Sequence, residues 1–190
     1  MQKKNVNSLF LFGAIIASLF AFGCSDDPAS PNPPANESET ITTVRLRLVQ
    51  TDDTTRVFQA QWRDLDGEGG NLPVISGFSN LPSNKTFSCS VEVLDETKSP
   101  IEDITEEIEA EDEEHQFFYI VFGATLTVQY TDADSDGNPI GLKTTVTTAA
   151  ASSGTLRVIL KHEATKNNTI GVPSTDGETD FDIVLPVTVQ

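Results

Sequence analysis

Hydrophobic and polar residues alternate along most of this chain. Val44, Leu46 and Leu48 alternate with Arg45 and Arg47, and Phe58, Ala60 and Trp62 with Gln59 and Gln61. Phe87, Cys89, Val91 and Val93 alternate with Ser88, Ser90 and Glu92. Leu126, Val128 and Tyr130 repeat the pattern, as do Leu156, Val158 and Leu160. Phe181, Ile183, Leu185, Val187 and Val189 form the longest such run. A two-residue period places one set of side chains on one face of a strand, so each run predicts a half-buried β-strand. Further strands are predicted near 74–78, 117–122 and 142–148. Turn signals separate them at Asp66-Gly67, Asp136-Gly137-Asn138-Pro139, Ser153-Gly154 and Asp176-Gly177. The reading is a mainly β domain, an antiparallel sandwich of Ig-like or transthyretin-like type. Pro186 lacks an N–H and predicts that this side of the last strand faces an edge.

One segment departs from the period. From Pro100 to Glu114, Ile101, Ile104 and Ile108 fall at helical spacing among acids, which predicts one short acidic helix. Acids suit the positive end of a helix and oppose the negative end, so Glu111 through Glu114 are placed at a local cost.

The N-terminus has a different character. Lys3 and Lys4 precede an apolar run from Leu9 to Phe22, then Gly23 and Cys24. The run is shorter than the roughly 20 residues that span a bilayer. The layout is that of a secretory signal peptide cut before a cysteine. Ala21-Phe22-Gly23-Cys24 resembles a bacterial lipobox, which implies a diacylated Cys24 as the mature N-terminus. Ser25-Asp26-Asp27 resembles the surface-export signal of Bacteroidota lipoproteins. Residues 1–23 are thus expected to be a signal peptide. Residues 24–40, with Pro28, Pro31, Pro33 and Pro34, are expected to be a lipidated, extended tether. Residues 41–190 are left as one domain with a sizeable core. The expected address is the outer membrane, facing the cell surface, with the periplasmic face as the alternative.

Loss of residues 1–23 removes Lys3, Lys4 and no acid, which takes the formal charge from −17 to −19. So negative a surface repels nucleic acid and attracts cations or a basic partner. It also keeps a tethered protein soluble. After acylation of Cys24 only Cys89 remains, which excludes an intramolecular disulfide. Cys89 is in phase with Phe87 and Val91 and reads as a small buried hydrophobe.

The chain has two histidines, each beside carboxylates. His115 follows Glu111-Asp112-Glu113-Glu114, and His162 precedes Glu163. If the helix continues to His115, Glu111 lies one turn back on the same face and Glu107 one turn further. His115, Glu111 and His162 form a candidate metal set, with Glu114 and Glu163 as further ligands. Imidazole nitrogen and carboxylate oxygen suit Zn²⁺ or another divalent transition metal. A solvated acidic surface with two exposed histidines is the competing reading. Asp132, Asp134 and Asp136, followed by Gly137, match the first half of a Ca²⁺ loop, but Lys143 stands where a bidentate glutamate belongs. Asp64 and Asp66 repeat the pattern, and acid-rich glycine turns are also ordinary hairpin chemistry. The chain has no Gly-x-Ser-x-Gly elbow, His-Glu-x-x-His helix or phosphate-cradling loop, so no enzyme activity is expected.

Several of these segments together resemble a family of small lipoproteins of Flavobacteriia-type bacteria. They are Cys24-Ser25-Asp26-Asp27, the Asp64–Asn71 loop, Glu102–Glu107, Glu114–Phe118, Asp136–Leu142, Lys161-His162-Glu163 and Gly177–Asp180. Members are sometimes labelled type 1 periplasmic-binding proteins, and the resemblance implies work beside TonB-dependent outer-membrane receptors. The two α/β lobes that this label names need alternating strands and helices, which the two-residue period does not predict. The functional expectation is ligand capture, of a divalent transition metal, for an uptake receptor. The alternative is a structural or adhesive β-sandwich that binds a protein or glycan, with Ca²⁺ stiffening one loop.

Overall fold

A computed structural model describes residues 39–67 and 69–190. The expected signal peptide, Cys24 and the expected tether before Glu39 lie outside the described residues. The described chain is mainly β. Its strands are β1 (Thr43–Gln50), β2 (Val57–Arg63), β3 (Val74–Ser76), β4 (Phe78–Leu81), β5 (Thr86–Asp95) and β6 (Glu102–Asp103). After α1 (Ile104–Ala110) come β7 (His115–Phe122), β8 (Leu126–Tyr130), β9 (Lys143–Thr148), β10 (Ser152–His162) and β11 (Glu178–Val189).

Two sheets pack as a sandwich rather than closing into a barrel. One has the order β3-β2-β1-β5-β9-β8, with β6 added to β5. The other has the order β4-β11-β10-β7. All pairings are antiparallel except β4 with β11. The alternating residues named above supply the core. Val44, Leu46, Leu48, Phe87, Val91 and Val93 of the first sheet join Phe117, Tyr119, Leu156, Val158, Leu160, Ile183, Leu185 and Val187 of the second. Burial of such side chains contributes about 1.5–3 kcal/mol each. Cys89 is buried among them, and loss of water pushes its thiol pKa up to about 12, so it stays protonated and inert.

Two expectations change. Strand β11 is interior, not at an edge. Its parallel neighbour β4 starts opposite Val187, one residue beyond Pro186. Just before it, Gly77 presses on Pro186, and a Cβ there would lie 2.1 Å from the Pro186 carbonyl oxygen. The sheet thus accommodates the proline with a short partner and a residue without a side chain. The helix is also shorter than its apolar spacing suggests. Ile101 is exposed, whereas Ile104 and Ile108 are buried. Asp103 caps the N-terminus by accepting the Thr105 N–H at 3.0 Å, and Glu106 and Glu107 fill the first turn. The last turn has no basic residue. The helix ends at Ala110, ahead of the Glu111–Glu114 acids that its negative end disfavours.

Candidate metal centre

The end of the helix decides where His115 points. Glu111 is the C-cap, and its N–H still donates to Glu107 O at 2.9 Å. A turn follows, in which Glu114 N donates to Glu111 O at 2.9 Å. His115 is therefore the first residue of β7, not the last of a helix. It is in phase with Phe117 and Tyr119, so it faces inward at the end of the core. His162 is the last residue of β10, in phase with Leu160 and Val158. The β7–β10 ladder pairs His115 directly with His162.

The two rings stack in parallel, with centroids 4.5 Å apart and planes 7° apart. His115 is 2% exposed. Its Nδ1 lies 3.2 Å from the Glu111 carbonyl oxygen. A carbonyl only accepts, so Nδ1 carries the hydrogen and Nε2 keeps its lone pair. His162 Nε2 donates to Glu114 Oε2 at 3.3 Å. The next residue, Glu163, has a left-handed backbone with φ of 51°. Its N–H donates to Glu114 O at 2.8 Å, which ties the turn after β10 to the turn before β7. Gly177 closes the same end, where a Cβ would lie 2.5 Å from the His162 carbonyl oxygen.

Three overlapping groups of ligand atoms result. Glu111, His115 and His162 form one, Glu114, His162 and Glu163 another, and Glu39, Glu107 and Glu111 a third. Within each, one atom per residue lies within 4.8 Å of the others. The five residues of the sequence-predicted metal set fall in the first two of these groups, which share His162. Glu39 and Asp180 were not anticipated. Glu39 lies just ahead of β1. Asp180 sits where the β10–β11 register slips, between the pairs Leu160–Phe181 and Lys161–Thr179. It is the extra residue of a β-bulge, a device that re-aims a side chain. Its Oδ2 is buried and accepts no hydrogen bond among the described residues.

The electrostatics follow from this crowding. Burial raises the Glu39 carboxyl pKa to about 7, helped by Glu107, Asp180 and Glu111 and opposed by His162. Burial lifts Asp180 to about 6 against the pull of His162. Burial and the Glu107 and Glu114 carboxylates also raise Glu111. Burial lowers His115. Burial works against the charge of His162 as well, but Glu114, Asp180 and Glu163 outweigh it and raise its pKa. Among the described residues, no lysine or arginine forms an ion pair with Glu39, Glu107, Glu111 or Asp180.

The calcium-type loop is arranged otherwise. Asp132 accepts N–H groups of Gly141 and Lys143 at 2.8 and 2.7 Å. Asp134 accepts those of Asp136 and Asn138 at 3.0 and 2.8 Å. Its Oδ2 also binds the Lys166 ammonium at 2.8 Å, with both side chains buried. Lys166 donates to the Asp112 carbonyl as well. A lysine thus stands at the place a cation would take, and Asp136 is exposed. Asp132, Asp134 and Asp136 do not form a converging ligand group among the described residues. In the other loop, Asp64 and Asp66 accept Gly67 and Asn71 N–H groups, as in ordinary turns.

No protein-family model, curated protein or solved structure matches the chain.

Proposed function

We propose that this chain is a surface lipoprotein that captures a divalent transition-metal ion and passes it to a neighbouring uptake receptor. The convergence of His115 and His162 at one strand end, beside Glu111, carries the reading. Two imidazoles and a carboxylate are a ligand set for Zn²⁺ and its neighbours in the transition series. The hydrogen bond from Nδ1 of His115 to a backbone carbonyl is the kind of support that fixes a ligating imidazole. Nε2 of His115, the second ring and Glu111 then supply three ligands, and Glu114 and Glu163 stand beside His162. A cation held by both rings must lie in the plane of each. Binding therefore turns the rings out of their parallel stack. An open, three-ligand site suits cargo better than a closed structural site. The lipobox-like Ala21-Phe22-Gly23-Cys24 and the resemblance to TonB-associated lipoproteins support the receptor half of the proposal.

The test is metal stoichiometry of the full chain in detergent after equilibration with Zn²⁺. The wild type is expected to hold one ion per chain. His162→Gln combined with Glu111→Gln is expected to weaken binding by more than about 100-fold, beyond what loss of one outer partner costs. His115→Ala/His162→Ala should do the same, with circular dichroism confirming an intact sandwich. Equal, substoichiometric zinc in all three proteins would remove the site.

A further inference from the structure

The third ligand group includes Glu39, which links the site to the chain ahead of the domain. Ile41 packs against the core, and Thr42 makes the first backbone hydrogen bond of this region. Its N–H donates to Leu94 O at 3.0 Å, and its hydroxyl accepts from Glu96 N at 2.8 Å. Glu39 lies three residues before that anchor. Its carboxylate lies within 4.8 Å of those of Glu107 and Glu111. Like charges at this distance repel, and no lysine or arginine among the described residues pairs with them. The Asp180 bulge adds a carboxylate whose buried Oδ2 accepts no hydrogen bond among the described residues. Glu111 belongs both to this group and to the imidazole group. A cation held beside Glu111 is therefore within reach of the acids around Glu39.

We propose that Glu39 is a further ligand of the captured cation, so that metal loading fastens the chain just ahead of β1 onto the site. This rests on the metal-capture reading and adds a consequence to it. The imidazoles and Glu111 hold the ion first. The ion's charge then attracts the Glu39 carboxylate. Residues 39–41 become fixed from both sides, by Thr42 behind them and by the ion ahead. Residues 39–41 are thus held more firmly in the loaded protein than in the metal-free one. A receptor beside the domain could read that difference as the loaded state.

Hydrogen–deuterium exchange of the full chain in detergent, with and without Zn²⁺, tests the coupling. Without metal, the amides of residues 39–41 should exchange near the rate of an unprotected segment. Zn²⁺ should slow them by about tenfold or more in the wild type. Glu39→Gln should abolish that slowing while still binding one zinc, at about tenfold lower affinity. His162→Gln/Glu111→Gln should lose both zinc and protection. If the wild type binds zinc through the histidines but exchange at 39–41 does not change, the latch is wrong and the capture site stands. The latch is equally wrong, and the capture site again stands, if Glu39→Gln keeps full affinity and protection. If the wild type binds no zinc, both ideas fall together.

Discussion

A carboxyl group with little water around it and other carboxylates beside it holds its proton longer. Asp180, at about 6, and Glu39, at about 7, are the two cases here. The groups that face them are Glu107, Glu111, Glu178, Lys161 and His162. Both folded-state pKa values lie above the ordinary carboxyl range, so the native state binds more protons than the unfolded chain between about pH 4 and 7. The stabilisation is complete below that window and is lost as pH rises through it. His162, also raised, has the same sign at somewhat higher pH. His115, lowered, acts in the opposite sense and loses stability as pH falls below about 6.5. Metal-free protein should therefore melt at a lower temperature at pH 8 than at pH 5.5. Asp180→Asn and Glu39→Gln, which cannot ionise, should each flatten this slope, and together should remove most of it. Thermal unfolding followed by circular dichroism in chelator decides the point. A slope unchanged in the double variant would mean that neither carboxyl is held protonated by the fold.

The loop between β8 and β9 shows how one lysine can replace a ligand. Lys166 joins Asp134 to the turn after α1 through the Asp112 carbonyl. Removing one partner of a buried pair leaves the other charge uncompensated, which costs about 3–5 kcal/mol. Lys166→Ala should lower the urea midpoint accordingly, whereas millimolar Ca²⁺ should leave the wild-type midpoint unmoved. A Ca²⁺-dependent rise in the wild type would show that Lys166 yields to the ion. No amphipathic period announces Lys166, because its partners lie 32 and 54 residues away in sequence. The strands themselves were legible, since burial on one face forces a two-residue period. The histidine pair was half legible. His162 is in phase with Val158 and Leu160, so its inward orientation could be read, whereas the acidic run before His115 reads as helix and hides its place at the start of β7. The register that sets the two opposite each other could not be read. The helix boundary misled in position but not in outcome, because a turn from Glu111 to His115 brings the same groups together as a helix would. Asp180 was illegible, since a bulge slips the very period by which a strand is recognised.

The described residues form a strongly acidic sandwich whose candidate site reaches Glu39, ahead of β1. Among the described residues, no helix is long and apolar enough to cross a membrane. If the protein works on a membrane as proposed, the acyl groups on Cys24 are its hold. Each buried CH₂ contributes about 0.8 kcal/mol, and a stable anchor takes more than one chain. The acidic surface cannot substitute, because negatively charged lipid repels it. Address and cargo are then separable properties with separate residues. Cys24→Ala should move the protein from the detergent phase to the aqueous phase in a Triton X-114 partition of cells that process lipoproteins. Zinc stoichiometry and the affinity set by His115 and His162 should be unchanged in that variant. The double histidine variant should behave in the converse way, remaining with the detergent while losing zinc. A Cys24→Ala protein that stays in the detergent phase would place the anchor elsewhere in the chain. One that also loses zinc would mean that the anchor and the site depend on each other, against their assignment to separate residues.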